Sequence, residues 1–143
     1  VIAKFEISPP ETVLARHEDL IGDLFNGTVL EIAQNVRQCS EISGAARYWQ
    51  QALSTRCPAS ISVIHQLLYV MPPEKSLAEA LRKDYQIACR MMRRSDFSEG
   101  VRAVLIDKDF SPKWSPDSLR LFTKSDLDAI FEFDPSLSLN KTP

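Results

Sequence analysis

Two histidines and three cysteines are the side chains of this 143-residue chain whose types alone suggest proton transfer, nucleophilic attack or metal binding. Histidine is the side chain that titrates near neutral pH, so His17 and His65 are the first candidates for a general base. His17 falls at helical spacing among Val13, Leu14, Leu20, Ile21, Leu24 and Phe25, where it reads as a core-edge residue with one nitrogen satisfied. His65 has no carboxylate at helical spacing to orient it and reads the same way. A cysteine attacks only as its thiolate, which needs a depressed pKa. Nothing adjacent in sequence offers Cys39 or Cys57 a partner, and Cys89, beside Arg90, sits on or next to an apolar stripe. Inert burial is the expectation for all three. Their odd number and wide spacing, with no C-x-x-C, point away from a disulfide framework and a zinc site and toward a reducing compartment. No metal ligand set and no catalytic residue is assigned.

Only four glycines occur, and none form G-x-G-x-x-G or G-x-x-x-x-G-K-[ST], so a phosphate cradle of backbone amides is not expected. G-x-S-x-G and H-E-x-x-H are missing too. Arg90, Arg93 and Arg94, interleaved with Met91 and Met92, resemble a nucleic-acid contact but read better as a solvated helix end compensating its dipole. With 17 basic and 19 acidic residues the net charge is −2, so no bulk field draws the chain to nucleic acid or anionic lipid. No apolar run approaches the roughly 20 residues that cross a bilayer, and no signal-peptide pattern is expected. Neither a nucleic-acid nor a membrane partner is expected. The chain begins at Val1 without methionine, which is read as processing or as a piece of something longer.

One run is more particular than packing requires: "DFSEGVRAVLIDKDFSPKW", Asp96 to Trp114. Asp96 and Glu99 have the D-x-x-E spacing of a capping box. Gly100 would then sit inside the helix, at a cost of about 0.5–1 kcal/mol relative to alanine. That cost is tolerable where another backbone or a ligand must come close. Lys108 leaves the helix after Asp107, where a phosphate could meet it, and Trp114 follows Pro112 as a large flat surface. The run has the makings of a contact surface.

Helices must position these residues. The segment "VIAKFEISPP" (1–10) reads as an arriving stretch, followed by the helix face that starts at Val13 and stops at Asn26-Gly27. Thr28 is placed to cap "VLEIAQNVRQ", and Ser43 precedes "GAARYWQQALSTR", where Ala45, Trp49 and Ala52 share a face. "PASISVIHQLLYV" is rich in β-branched residues, yet Pro58 at its start and the spacing of Ile61, Ile64 and Leu68 favour helix. After Pro72-Pro73, Ser76 and Glu79 form a capping box for a helix whose Leu77, Leu81, Tyr85, Ala88 and Met92 share one face, widened by Ile87 and Met91 and taken as core. Phe97, Val101 and Val104 give the next helix its buried side. Thr123 and Asp126 cap "KSDLDAIFEF", and the tail, 134–143, is expected to fray. Hydrophobic content of 44% and charged content of 25% are those of a globular protein. The expectation is a single all-α domain over 1–143 with six or seven helices.

The run from Asp96 to Trp114 closely resembles the carboxyl-terminal signature of the 3-hydroxyisobutyryl-CoA hydrolases, a branch of the crotonase (enoyl-CoA hydratase/isomerase) superfamily. Its pattern, D-F-x-E-G-V-R-A-x-L-I-D-K-D-x-S-P-x-W, is met throughout. "CPASISVIHQLL" (Cys57 to Leu68) resembles the family's S-P-T-S-L-K-hydrophobic segment, and "SLAEALRKDYQIACRMMRRSDF" the helix before D-F-x-E-G. The likeness is good over 54–115, helical in pattern only over 12–53, and weak over 116–143. Cys57 stands where a serine is usual, Asp84 where a glutamate is common, and the stretch around Pro72-Pro73 is altered; these departures read as drift.

The resemblance implies that this is the helical carboxyl-terminal part of a thioester hydrolase of valine breakdown in the mitochondrial matrix. The oxyanion hole and catalytic carboxylates belong to an amino-terminal β-β-α core that this chain lacks, so the chain alone is expected to be inactive. It also implies Lys108 and Val104 as candidate CoA contacts. The implied partners are that core, an acyl-CoA substrate and, through an exposed apolar face, a second copy; no cofactor beyond the CoA of the substrate is implied. Two rival readings stay open: a hydrolase-like structural protein, such as a mitochondrial ribosome component, and a free-standing helical interaction module.

Overall fold

The computed structural model describes residue 12 and residues 14–137. The opening segment 1–10, Val13 of the first helix face and the end of the tail, 138–143, lie outside the described residues. Among those described there are seven α-helices and no strand, so the all-α expectation holds. The chain divides into two compact units, Val1–Gln50 and Gln51–Pro143.

In the first unit a 3-10 turn, Ala15–His17, leads into α1 (Glu18–Leu24) and then α2 (Val29–Cys39) and the start of α3 (Gly44–Thr55), within which the division falls. Gly27 turns the chain after α1 at φ 97°. A Cβ there would be strained and would lie 2.7 Å from a Glu31 carboxylate oxygen, so the position needs glycine. Thr28 caps α2 as expected. Its hydroxyl accepts from the Glu31 amide at 3.3 Å, and the Glu31 carboxylate accepts from the Thr28 amide at 2.8 Å. The Thr28 amide and then its hydroxyl, which donates to the same carboxylate at 2.8 Å, lower the Glu31 pKa. Ile32, Val36 and Ala46 are buried, and Trp49 meets Phe25 and half-buried His17 edge-on, with centroids 5.5 and 6.0 Å apart.

The second unit holds α4 (Pro58–His65), α5 (Leu77–Met92), α6 (Ser95–Val101) and α7 (Lys124–Phe131). Both α4 and α6 run on into one wider π-type turn, Gln66–Val70 and Arg102–Ile106. Its core is Cys57, Ala59, Val63, Ile87, Phe122 and Ile130, with Met91, Trp114 and Leu127 packed against it. Pro58 occupies the first turn of α4, as its fixed φ and missing N–H suit. The helix reading of 58–70 is correct, but the buried face is not the one expected. Ala59, Ser62 and Val63 face inward, while Ile64 and Leu68 are 54% and 72% exposed. Small residues allow the close approach, and buried Ser62 donates its hydroxyl proton to Pro58 O at 2.9 Å.

The larger correction falls on α5. The stripe taken as core is exposed: Leu77 by 75%, Met92 by 58%, and Leu81, Tyr85 and Ala88 with them. The helix packs on α6 and α7 through Ile87 and Met91, flanked by long polar side chains. Lys83 pairs with Glu74, and Arg90 donates to Ala129 O and lies 4.0 Å from Asp134. Gln86 bonds the Asp134 backbone at 3.4 Å. Their methylene stems cover the core while their heads find partners, so the helix can bury its polar side. Ser76 caps α5, but only half of the expected box forms, because the Glu79 carboxylate accepts from the Lys75 amide instead. The described part of the tail is held: Leu137 is buried, and Asp134 accepts from the Ser136 amide at 2.9 Å.

Candidate functional site

The Asp96–Trp114 run is held by a network of side-chain hydrogen bonds, though not as a capping box. Arg94, not Asp96, is the N-cap of α6, and it makes no side-chain cap. Asp96 lies in the first turn, two residues past the N-cap, and is 5% exposed. A carboxylate buried that far needs all its partners. Arg94 supplies Nε and Nη2 at 3.1 and 2.8 Å, and the Ser115 amide donates at 2.8 Å. Arg94 also reaches Ser115 O at 3.1 Å and stands over the Phe122 ring. Two arginines of the 90–94 cluster therefore hold structure together, where a solvated helix end was expected.

Glu99 faces the chain that leaves the helix. Its carboxylate accepts from Arg102 Nε and Nη2, both at 2.8 Å, and from the Lys113 amide at 2.6 Å. The guanidinium and then that amide hold the Glu99 carboxyl down at about 2. Arg102 is the hub of this region. Nη1 reaches Asp107 at 2.6 Å and Asp109 at 2.7 Å, and Nη2 reaches Ser111 O at 3.3 Å. Glu99, then Asp109 and Asp107, stabilise its charge and push its pKa further up, and Arg102 in turn holds Asp109 low. Residues 107–111 form a tight tip, with Lys108 and Phe110 both left-handed (φ 55° and 53°) and the Phe110 amide on Ala103 O at 3.0 Å.

Trp114 closes the run. Its Nε1 donates to Thr55 O at 3.0 Å, and its ring edge lies over Gly100. A Cβ on Gly100 would sit 3.4 Å from Cη2 and 3.6 Å from Cζ3, ordinary contact, so the glycine leaves room rather than being forced. Beside it is an apolar cavity of about 400 Å³, lined among others by Phe97, Val101, Val104, Leu105, Met91 and Trp114. The expected buried side of α6 is thus an open wall: Phe97 and Val104 are 48% and 47% exposed. Ala103 is the residue that is fully buried.

Of the two candidate contact residues, Val104 lines this cavity and Lys108 does not. Lys108 is exposed on the 107–111 tip, its ammonium without an ion-pair or hydrogen-bond partner among the described residues. Cys57 is buried, Cys39 and Cys89 are half-buried, and all three are free. The neighbouring Cys89 thiol raises the Tyr85 pKa. Among the described residues no three His, Cys, Asp or Glu side chains cluster as a metal site, and no helix is long and apolar enough to cross a membrane. Sequence reasoning missed Arg102; its i,i+3 spacing from Glu99 was the available signal, since it puts the two on one helix face.

A family model described as enoyl-CoA hydratase/isomerase matches residues 1–131, and the chain belongs to that family. Its similarity within the family is to mitochondrial 3-hydroxyisobutyryl-CoA hydrolases. It is 42% identical to the one from Xenopus laevis over 120 residues, covering 83% of this chain and 30% of that protein. It is 38% identical to the one from Homo sapiens over 122 residues, covering 84% and 31%. The chain thus spans less than a third of the length of these relatives. The crystal structure of a carnitinyl-CoA dehydratase from Mycobacterium thermoresistibile superposes with a TM-score of 0.80 at 30% identity, over 95% of this chain and 39% of that one.

Proposed function

We propose that these residues are the carboxyl-terminal helical part of a 3-hydroxyisobutyryl-CoA hydrolase of the mitochondrial matrix, acting in valine breakdown. The observation that carries this is the 42% identity to a hydrolase of that name over most of the chain. In the reaction, water adds to the thioester carbonyl and the carbon–sulfur bond breaks. The acid leaves as 3-hydroxyisobutyrate and the sulfur as CoA thiol. The oxyanion hole and the acid–base carboxylates belong to the amino-terminal crotonase core, and the chain alone is inactive. Lys108 meets a phosphate of CoA, for which its unpaired ammonium is suited, and Val104 supplies an apolar contact from the cavity wall.

Two features support a missing partner. The stripe Leu77, Leu81, Tyr85 and Met92 lies exposed along one face of α5, as a surface awaiting a partner would. The matched segment is also only 30% and 31% of the length of the relatives, so most of each lies outside it. The core of the same protein is the partner we assign to that stripe. A protein expressed from the complete native reading frame should release CoA thiol from 3-hydroxyisobutyryl-CoA, and these 143 residues alone should not. A complete protein with the core carboxylates in place and no thiol release would overturn the reading in favour of a structural role.

A further inference from the structure

Lys108 is flanked by Asp107 and Asp109, an arrangement that ought to be poor at binding an anion. In an unconstrained D-K-D tip the ammonium can pair with either neighbour, and both carboxylates repel an approaching phosphate. The structure resolves this conflict with one side chain. Arg102 Nη1 holds Asp107 at 2.6 Å and Asp109 at 2.7 Å, drawing both carboxylates onto its guanidinium although their side chains stay 51% and 42% exposed, while its other edge is fixed by Glu99. Lys108 forms no ion pair with either of them. The left-handed backbone at Lys108 and Phe110, with the Phe110 amide on Ala103 O, sets the outward course of the tip.

We propose that Arg102 is a positioning residue for anion binding: by engaging Asp107 and Asp109 it keeps them off the Lys108 ammonium and leaves that ammonium unpaired, ready for a phosphate of an acyl-CoA. This rests on the reading of Lys108 as a CoA contact. Arg102 itself does not touch the ligand. Its guanidinium keeps two carboxylates from competing for the ammonium, and its fork, which a lysine lacks, is what reaches both at once.

The test is made in the complete protein, with acyl-CoA and the corresponding acyl-pantetheine, which lacks the nucleotide, as substrates. Lys108→Met should raise the KM for acyl-CoA by about tenfold, the scale of one charge-assisted contact, with kcat nearly unchanged. Arg102→Met should raise it similarly, and neither should affect acyl-pantetheine. Adding Asp107→Asn and Asp109→Asn to Arg102→Met should return KM most of the way, since the competing charges are gone. A purely structural role for Arg102 predicts no such rescue, and its absence overturns the inference. A raised KM in Lys108→Met with none in Arg102→Met overturns the inference but keeps the CoA contact. No change in Lys108→Met removes both. If Arg102→Met does not fold, Arg102→Lys, with the same pair of asparagines, is read in the same way.

Discussion

The starts of α6 and α7 each carry a polar pair three residues apart that ends in an acid, Asp96 with Glu99 and Thr123 with Asp126, and use it in opposite ways. At α7, Thr123 and Asp126 close on each other: the Asp126 amide donates to the Thr123 hydroxyl at 3.2 Å, and the Thr123 amide donates to the Asp126 carboxylate at 2.8 Å. Everything is local, and the result is one satisfied helix end. At α6, Asp96 and Glu99 ignore the helix end and take donors from 14 and 19 residues away, the amides of Lys113 and Ser115. What differs is the company each pair keeps. Arg94 and Arg102 flank the α6 acids and draw them out of the local arrangement. A three-residue spacing therefore fixes which amides are within reach, while nearby guanidinium groups decide whether they are used.

The sharpest way to break this contrast is Asp96→Asn. It leaves the half-buried Arg94 without its counter-charge and should cost about 3 kcal/mol in denaturant unfolding. A cost below that of losing an ordinary cap would mean that Asp96 does no more than Asp126 does. Gly100→Val comes next, at about 2 kcal/mol, because its branches must push Trp114 off the Thr55 carbonyl. Gly100→Ala, by contrast, should be neutral or slightly stabilising, its methyl in ordinary contact and the helix favoured. Thr123→Ala should cost about 1 kcal/mol, the usual value of a cap, with no effect on the 107–115 segment.

The smallest effect is one of pH. The Glu99 carboxyl, depressed from 4.5 to about 2, contributes stability that is fully present above about pH 4.5 and is lost as pH falls toward 2. Acid titration followed by backbone NMR of residues 107–115 should show a transition in that window, and Glu99→Gln should remove it. A transition that survives in Glu99→Gln would assign it to another carboxylate.

Local signals were legible in the sequence. Thr28, Ser76, Thr123 and Pro58 mark their helix starts because each acts on amides within one turn, which sequence spacing specifies directly. Which face a helix buries was less legible. On α5 the stripe Leu77, Leu81, Tyr85, Ala88 and Met92 is exposed, and the inward side carries Lys83, Gln86 and Arg90 around Ile87 and Met91, since the partners Glu74, Asp134 and Ala129 come from other elements. Periodicity shows that a stripe exists and says nothing of which neighbour is present to cover it. The Asp96–Trp114 run stood out by resemblance, and Lys108 within it, but the role of Arg102 did not. Its partners Asp107, Asp109 and Ser111 lie past the helix end, where helical spacing no longer predicts contact.

The left-handed tip at Lys108 also bears on proteolysis. An exposed lysine is a nominal trypsin site, but a protease takes its substrate as an extended strand. Residues 107–111 are bent and tied back through Asp107, Asp109, Phe110 and Ser111. Cleavage after Lys108 must wait for those ties to open together, so its rate under dilute trypsin measures how often the tip lets go.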